Sequence, residues 1–263
     1  SRDILLQAKD TAERQGYRLL HAIVDSLWLH KPGAGREDYD DLAQMITKQT
    51  GLPINVEGIY RWIGFLPSRV NPRMPVPNQF VGQFEHGTMK IRGIELRRSD
   101  APLLVKQAQA EMLRCLSDAR TLAELRDSIS DALKVIRAYR HHLHDGHATV
   151  EELAIAKSLS RAPQAYRHRT LSMIAAQELL ARGVSLQAGD SVHYIMTDTK
   201  AAYPPDRVRA VAGLDGTWSY DRAAYDALLC KAALAVLGPL GVTSADLDDG
   251  SDRMCHKGPL IGL

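Results

Sequence analysis

The sequence predicts an α+β fold. An antiparallel sheet with covering helices is expected over residues 1–100, and a mainly helical region containing a small β-hairpin over 101–263. Three observations predict it. β-branched, aromatic and leucine-rich runs broken by turn residues dominate the first hundred positions, as in "GYRLLHAIVDSLWLH" (16–30), "INVEGIYRWIGFL" (54–66) and "QFVGQFEHGTMKIRGIEL" (79–96). Beyond Ala101-Pro102 apolar residues recur at helical spacing instead. In that second region "DSVHYIMTD" (190–198) and "RVRAVAG" (207–213) read as the hairpin.

Taken in order, residues 2–15 repeat apolar side chains at Ile4, Leu5, Ala8 and Ala12, a helical period that Gly16 can cap. Residues 17–24 and 27–30 read as paired strands. The linker "KPGAGRED" leads to a helix over about 37–50 that stops at Gly51, and 54–66 reads as a strand. A loop with Pro67, Pro72, Pro75 and Pro77 precedes two strands over 79–96, joined by a turn at His86-Gly87. Helical periods then cover 102–118, 121–143, 149–157 and 163–182, with Pro102 and Pro163 at first-turn positions and Gly146 and Gly183 as C-caps. "YDRAAYDALLCKAALAVLGPLG" (220–241) is a last amphipathic helix, and no internal repeat is visible.

The chain has 263 residues, enough for two ordinary domains, and is 45% hydrophobic, enough for a packed core. No window of eighteen apolar residues suggests a membrane span, and no apolar segment follows Ser1 as a signal peptide would require. Ser1 is not a natural start, so the sequence is expected to be a piece of a longer protein. Cys115, Cys230 and Cys255 are far apart and form no C-x-x-C, which fits a reducing cytoplasm better than a disulfide framework or a zinc ribbon. The net charge of +2 predicts no partner, but its distribution is uneven. Residues 134–147 carry Lys134, Arg137, Arg140 and four histidines against Asp145, and the tail carries Asp246, Asp248, Asp249 and Asp252.

Asp25 and Ser26 sit at the tip of the first strand pair. Such residues favour turns because their side chains bond nearby backbone N–H groups. The chain around them supports a sharper reading. "GYRLLHAIVDSLWL", "VEGIYRWIGFL", "NQFVGQFEHGTMKIRGIELRRSDAP", "EELAIAKSLSRAPQAY", "IAAQELLARGVSLQAGDSVHYIM" and "YDRAAYDALL" follow one another in an order that closely resembles the C-terminal part of family B DNA polymerases. The blocks run from about residue 4 to 241. The resemblance implies the C-terminal part of a palm over 1–100 and a thumb with a C-terminal tail over 101–263. It also implies template-directed nucleotidyl transfer on primer–template DNA with deoxynucleoside triphosphates, and a DNA-associated cytoplasmic protein of a prokaryote.

In that family the catalytic hairpin usually reads Tyr-Gly-Asp-Thr-Asp-Ser. The same six places here are His21, Ala22, Ile23, Val24, Asp25 and Ser26, so the second aspartate survives as Asp25 and the first is Ile23. The resemblance makes Asp25 the catalytic carboxylate and a ligand of Mg²⁺. The two-metal mechanism needs two such ions roughly 3.5–4 Å apart, held by oxygen ligands that isoleucine cannot supply. The family's other metal-binding aspartate and its nucleotide-contacting lysine and asparagine belong to motifs upstream of these blocks, so the piece alone is not expected to polymerise. A degenerate motif also suggests a divergent or inactivated branch, a relic acting as a DNA-binding or scaffold subunit.

Further site residues follow from the resemblance. The family's Lys-x-Tyr ahead of Val-Gly, which holds the primer strand, is here Asn78 and Phe80. Asn78 keeps a hydrogen-bonding group and Phe80 a ring for a sugar, or else Phe80 is a core residue of its strand. "KIRGIELRRSD" reads as a strand with Lys90, Arg92, Arg97 and Arg98. The family reading places Arg92 near the DNA backbone, with Gly93 allowing close approach. "AKSLSRAPQAY" (156–166) resembles the thumb segment that grips duplex, with Lys157, Ser158, Ser160, Arg161 and Tyr166 as sequence-blind DNA contacts. His141 and His144 would share a helix face as a metal pair requires. No cysteine or acid pair completes that site, so a solvated helix end is the preferred reading. "CHKGPLIGL" (255–263) resembles sliding-clamp tails only in a degenerate way and reads better as a disordered apolar tail.

Overall fold

The computed structural model describes residues 2–67 and 75–248. Pro72, Asp249, Asp252, Cys255 and the clamp-like segment lie outside the described residues, whereas Pro75 opens a strand.

The chain begins with α1 (Arg2–Arg14), the hairpin β1 (Arg18–Ile23) and β2 (Ser26–His30), and α2 (Arg36–Thr50). All four elements lie within a residue or two of where the sequence puts them. Gly51, at φ 71°, closes α2 by donating its N–H to the Thr47 carbonyl. These elements share a small core of Ala8, Ala12, Tyr17, Leu42 and Ile46, against which Leu27, Leu29 and Tyr39 pack. The Tyr17 hydroxyl donates to the Asp38 carbonyl at 2.9 Å, tying the start of the hairpin to α2.

A three-stranded antiparallel sheet follows, in the order β3 (Tyr60–Pro67), β4 (Pro75–Phe84), β5 (Met89–Arg92). Two boundaries differ from the sequence reading. Residues 54–59 are not strand, although the run "INVEGI" has strand composition. The second strand of the 79–96 pair stops at Arg92, because Gly93 takes φ 67° and Glu95–Arg97 turn into a short 3-10 helix. Close approach does matter at Gly93, but what approaches is protein. A Cβ there would lie 2.4 Å from the carbonyl oxygen of Asn78, itself at φ 58°.

The helical region contains α3 (Leu103–Ser117), α4 (Leu122–Asp127), α5 (Ile129–His144), the single turn α6 (Val150–Leu153), α7 (Leu171–Ala181), α8 (Arg222–Leu237) and α9 (Ser244–Asp248). The expected helix over 121–143 is broken at Ser128, which ends α4 and precedes α5, with its hydroxyl donating to the Glu124 carbonyl. The expected helix over 149–157 is only half helix, because Ile155–Ser158 form the strand β6. The expected helix over 163–182 opens as a 3-10 turn at Pro163–Ala165, and α7 begins only at Leu171. The 190–198 and 207–213 hairpin forms as β7 (Ser191–Met196) and β8 (Val208–Ala210), and β6 joins it as a third antiparallel strand in the order β6-β7-β8.

α3, α5 and α8 pack around the large core. Leu104, Val105, Met112, Ile136, Leu143, Tyr225 and Leu229 are fully buried there, each aliphatic side chain contributing about 1.5–3 kcal/mol. This core reaches back across residue 101 to Trp62, Val81 and Ile94 of the second sheet and its exit. By length and composition α8 with the following turn (Arg222–Leu240) is the one described helix that could cross a membrane. Its apolar residues instead fill this core.

Polar groups inside the core are placed to bind its elements together. Gln109 is fully buried, donating to the Ala232 carbonyl at 2.9 Å and to Glu95 at 3.3 Å while accepting from the Leu96 N–H at 2.6 Å. The Tyr225 hydroxyl donates to the Leu153 carbonyl and accepts the Met196 N–H, both at 2.9 Å, which joins α8 to α6 and β7. Burial holds its phenol well above the ordinary tyrosine range.

Candidate functional site

The tip of the β1–β2 hairpin presents Val24, Asp25 and Ser26 to solvent, with Ile23 paired to Ser26 across the turn. Val24 is 76% exposed, and the Ser26 hydroxyl donates to Asp25 Oδ1 at 3.2 Å. Below the tip, Asp25 and Ser26 border an apolar cavity of about 570 Å³ lined by Leu5, Trp28, Ile46, Ile54 and Trp62, among others. The turn thus places its carboxylate at a polar rim over an apolar floor.

The hairpin is held from below by rings. His21 and Trp28 face Phe65 of β3 at centroid distances of 4.7 and 5.8 Å, and Trp28 lies 5.3 Å from Phe80 of β4. Phe80 is 2% exposed, so its ring has no face left for a sugar, and its position is that of the core residue. What it does here is fix β4 against the hairpin that carries Asp25. His21 Nε2 is buried without a hydrogen-bond partner among the described residues, and burial lowers the imidazole pKa. Tyr60 nearby is pushed up to about 12, again by burial, against the opposing effect of the Trp28 side chain.

Asn78 and Arg92 stand exposed beside this assembly. Arg92 pairs in register with Phe80 at the end of β5, where it is exposed. Lys90 is bonded to Glu57, and Arg98 makes a two-pronged contact with Asp100 at 2.9 and 3.1 Å.

The 156–166 segment is less uniform than its sequence suggests. Lys157 is bonded to Asp100 at 2.9 Å, and the Ser158 hydroxyl faces the Ser191 hydroxyl at 3.1 Å across β6–β7. Adjacent strand residues point to opposite faces, so Lys157 and Ser158 do not line one surface. Ser160 and Tyr166 are brought together: the Ser160 N–H donates to the Tyr166 oxygen at 2.8 Å, with the two hydroxyl oxygens 3.2 Å apart. The Ser160 hydroxyl, with the Ser160 and Arg161 backbone behind it, draws the phenol below its ordinary pKa. The Arg161 guanidinium lies 5.7 Å from the Tyr166 ring centroid.

Sequence reasoning passed over the continuation of this loop. Arg161, Arg167, His168 and Arg169 are all exposed, none is in an ion pair among the described residues, and residues 159–170 contain no carboxylate. The signal was present as "RHR" directly after Tyr166. By contrast, the histidines at the end of α5 are engaged: His144 lies 3.3 Å from Asp226 and His142 3.1 Å from Glu152.

The donors around Asp25 do not by themselves suit magnesium. Asp25 has Ser26 and the hydrocarbon of Ile23 beside it, and no group of three or more His, Cys, Asp or Glu among the described residues could hold a metal ion. An octahedral oxygen set is not formed by this chain's described residues.

The sequence model of DNA polymerase family B matches residues 78–236. A DNA polymerase of Archaeoglobus fulgidus is 24% identical over 92% of this chain, which spans 31% of that relative's length. DNA polymerase 2 of Saccharolobus solfataricus is 30% identical over 48% of this chain and 18% of its own. The solved family B DNA polymerase of Pyrobaculum calidifontis superposes with a TM-score of 0.62 at 23% identity, covering 92% of this chain and 29% of the other, a likeness of fold. The chain therefore spans about a third or less of these relatives. The family match, extending over more than half of the sequence, from within β4 through most of the helical region, means that this chain belongs to DNA polymerase family B.

Proposed function

We propose that this chain supplies the duplex-holding portion of a template-directed DNA polymerase, with residues 1–100 as the C-terminal part of the palm and 101–263 as the thumb. The observation that carries the proposal is the family match over 78–236 together with the carboxylate-free loop 159–170, whose exposed Arg161, Arg167 and Arg169 offer a cationic, sequence-blind surface for phosphates. Ser160, Arg161 and Tyr166 form its ordered start. Asn78 and Arg92 flank the hairpin side, and Lys157 and Ser158 mark the strand from which the loop departs. Primer–template DNA is the macromolecular partner, and the setting is the DNA-associated cytoplasm.

Asp25 is the carboxylate this chain offers toward a divalent ion. Its place on an exposed tip leaves it accessible to ligands from the rest of a polymerase, which would supply the remaining oxygen donors and the contacts to a deoxynucleoside triphosphate. The work of this chain's own residues is to hold the duplex and to fix the hairpin through Trp28, Phe65 and Phe80.

Fluorescence anisotropy of a labelled primer–template against the chain, over a salt series, tests the binding half. Saturable binding is expected. Changing Arg161, Arg167 and Arg169 together to Gln should weaken it about tenfold or more and flatten the salt dependence by roughly 0.9 for each phosphate no longer neutralised. Binding unaltered by that triple change rejects the loop as the contact surface. A second reading, a DNA-holding subunit without turnover, is favoured by Ile23, which puts hydrocarbon where the family carries a carboxylate. Primer extension by the complete polymerase separates the two. Loss of extension in Asp25→Ala supports turnover; extension absent until Ile23→Asp is introduced supports the subunit.

A further inference from the structure

Lys157 stands apart from the other cations of its segment because a carboxylate already occupies it. Asp100 lies just before α3 and accepts three charge-assisted bonds: 2.9 and 3.1 Å from Arg98 and 2.9 Å from Lys157. We propose that Asp100 acts as an internal stand-in for a DNA phosphate, holding Lys157 against the 98–100 segment until duplex displaces it. The proposal rests on the reading of 155–170 as a duplex contact and adds a positioning residue, Asp100, to that surface.

Three observations carry it. First, the ammonium has somewhere to go. The Lys157 side chain is 50% exposed on β6, which among the described residues is bonded on one side only, to β7. Second, release costs little on the Asp100 side. The two-pronged Arg98 contact remains when Lys157 leaves, so no bare carboxylate is stranded, and Asp100 is 20% exposed. Third, the two binding states are comparable in strength. A partly exposed Lys–Asp pair and a single Lys–phosphate contact are both weak and both screened by salt. Because Asp100 precedes α3 and Lys157 follows α6, the pair links two separate stretches of chain at the surface. Duplex binding would therefore exchange this link for an intermolecular one.

The test is duplex affinity of the full chain at low salt for Asp100→Asn, Lys157→Gln and the double variant, with Asp100→Glu as the conservative control. Asp100→Asn frees both Lys157 and Arg98 and is expected to tighten binding about two- to fivefold, and the gain should vanish in the double variant, because Lys157 is the cation that meets the phosphate. Asp100→Glu should stay near wild type. A gain that survives Lys157→Gln would mean that removal of a negative charge or release of Arg98 is responsible, and overturns the proposal. So does an unchanged affinity in Asp100→Asn. Should that variant fail to fold, Lys157→Gln alone decides, since the position is exposed and leaves Arg98–Asp100 intact: a loss of about two- to threefold supports the exchange, and no loss overturns it. Absence of duplex binding by the unmodified chain would reject the contact surface itself, an outcome distinct from any pattern among the variants.

Discussion

The hairpin region and the helical bundle differ in how deeply they are built. Around the hairpin, α1 and α2 share a small core of Ala8, Ala12, Tyr17, Leu42 and Ile46, and a cavity of about 570 Å³ remains beside Trp28 and Trp62. Around α3, α5 and α8 the core is continuous, and its buried polar groups Gln109 and Tyr225 are fully bonded. The chemistry-bearing tip rests on the shallower of the two. The comparison teaches that the helical region rests on a deep, continuous core, whereas the hairpin depends for its position on the small α1–α2 core and a few aromatic contacts to β3 and β4.

Breaking the deep side should have the largest effect. Leu229→Ala, at a fully buried position in α8, is expected to lower unfolding free energy by about 3 kcal/mol in chemical denaturation. The matching Leu42→Ala in the small core should raise hydrogen exchange over 2–50 and leave 103–237 protected. Exchange rising equally in both would show that the two cores unfold as one unit. Next comes the Arg140–Asp226 clamp, two-pronged at 2.7 and 3.0 Å with Arg140 also donating to the Leu247 carbonyl. Asp226→Ala removes both prongs and leaves Arg140 with only its Leu247 carbonyl and Asp248 contacts, and should cost about 1–2 kcal/mol. Burial raises the Asp226 pKa, but the Arg140 bonds and charge outweigh it and leave it lowered. The folded carboxyl therefore binds its proton less readily than the unfolded one. Its contribution is present above the unfolded value, near 3.8, and is lost as pH falls from there through the lower folded pKa. Tyr225→Phe leaves the Met196 N–H and Leu153 carbonyl unpaired inside the core and should cost about 1–2 kcal/mol, measured the same way.

The smallest effect belongs to the hairpin and sharpens the contrast. His21 has a lowered pKa from burial, so its neutral form is favoured when folded. Stability from this group is complete above 6.5, the unfolded value, and declines as pH falls from there toward the folded pKa. Exchange at residues 18–30 should therefore rise as pH drops from about 6.5 to about 5, once the intrinsic pH dependence of exchange is divided out. His21→Phe should remove that rise. A bundle that loosened over the same range would place the titration elsewhere.

Much of this fold could be read from residue order because local and tertiary preferences agree. The hairpin strands, α2 with Gly51, and α8 all have period and terminus pointing to one answer. The failures share a cause. "ELAIAKS" keeps a helical apolar period, yet pairing with β7 draws Ile155–Ser158 into a strand, a long-range choice that spacing cannot express. Likewise the "INVEGI" run has strand composition, but pairing with β4 starts only at Tyr60. Among site residues, Asp25 was legible as an exposed turn carboxylate. The burial of Phe80 was not, because Trp28 and Phe65, which cover it, come from different strands distant in sequence. Lys157 was legible as a cation but not as an engaged one, since Asp100 lies 57 positions upstream.

The strand β6, which carries Lys157, is four residues long and has one flank open among the described residues. An unpaired flank is a template on which another polypeptide can grow a sheet, and proteins commonly guard such flanks with brevity and lysine. Both guards are present here. On the proposed reading, one side chain would serve both ends: a guard of the flank in the free chain, where Asp100 holds it, and a phosphate contact once duplex is bound.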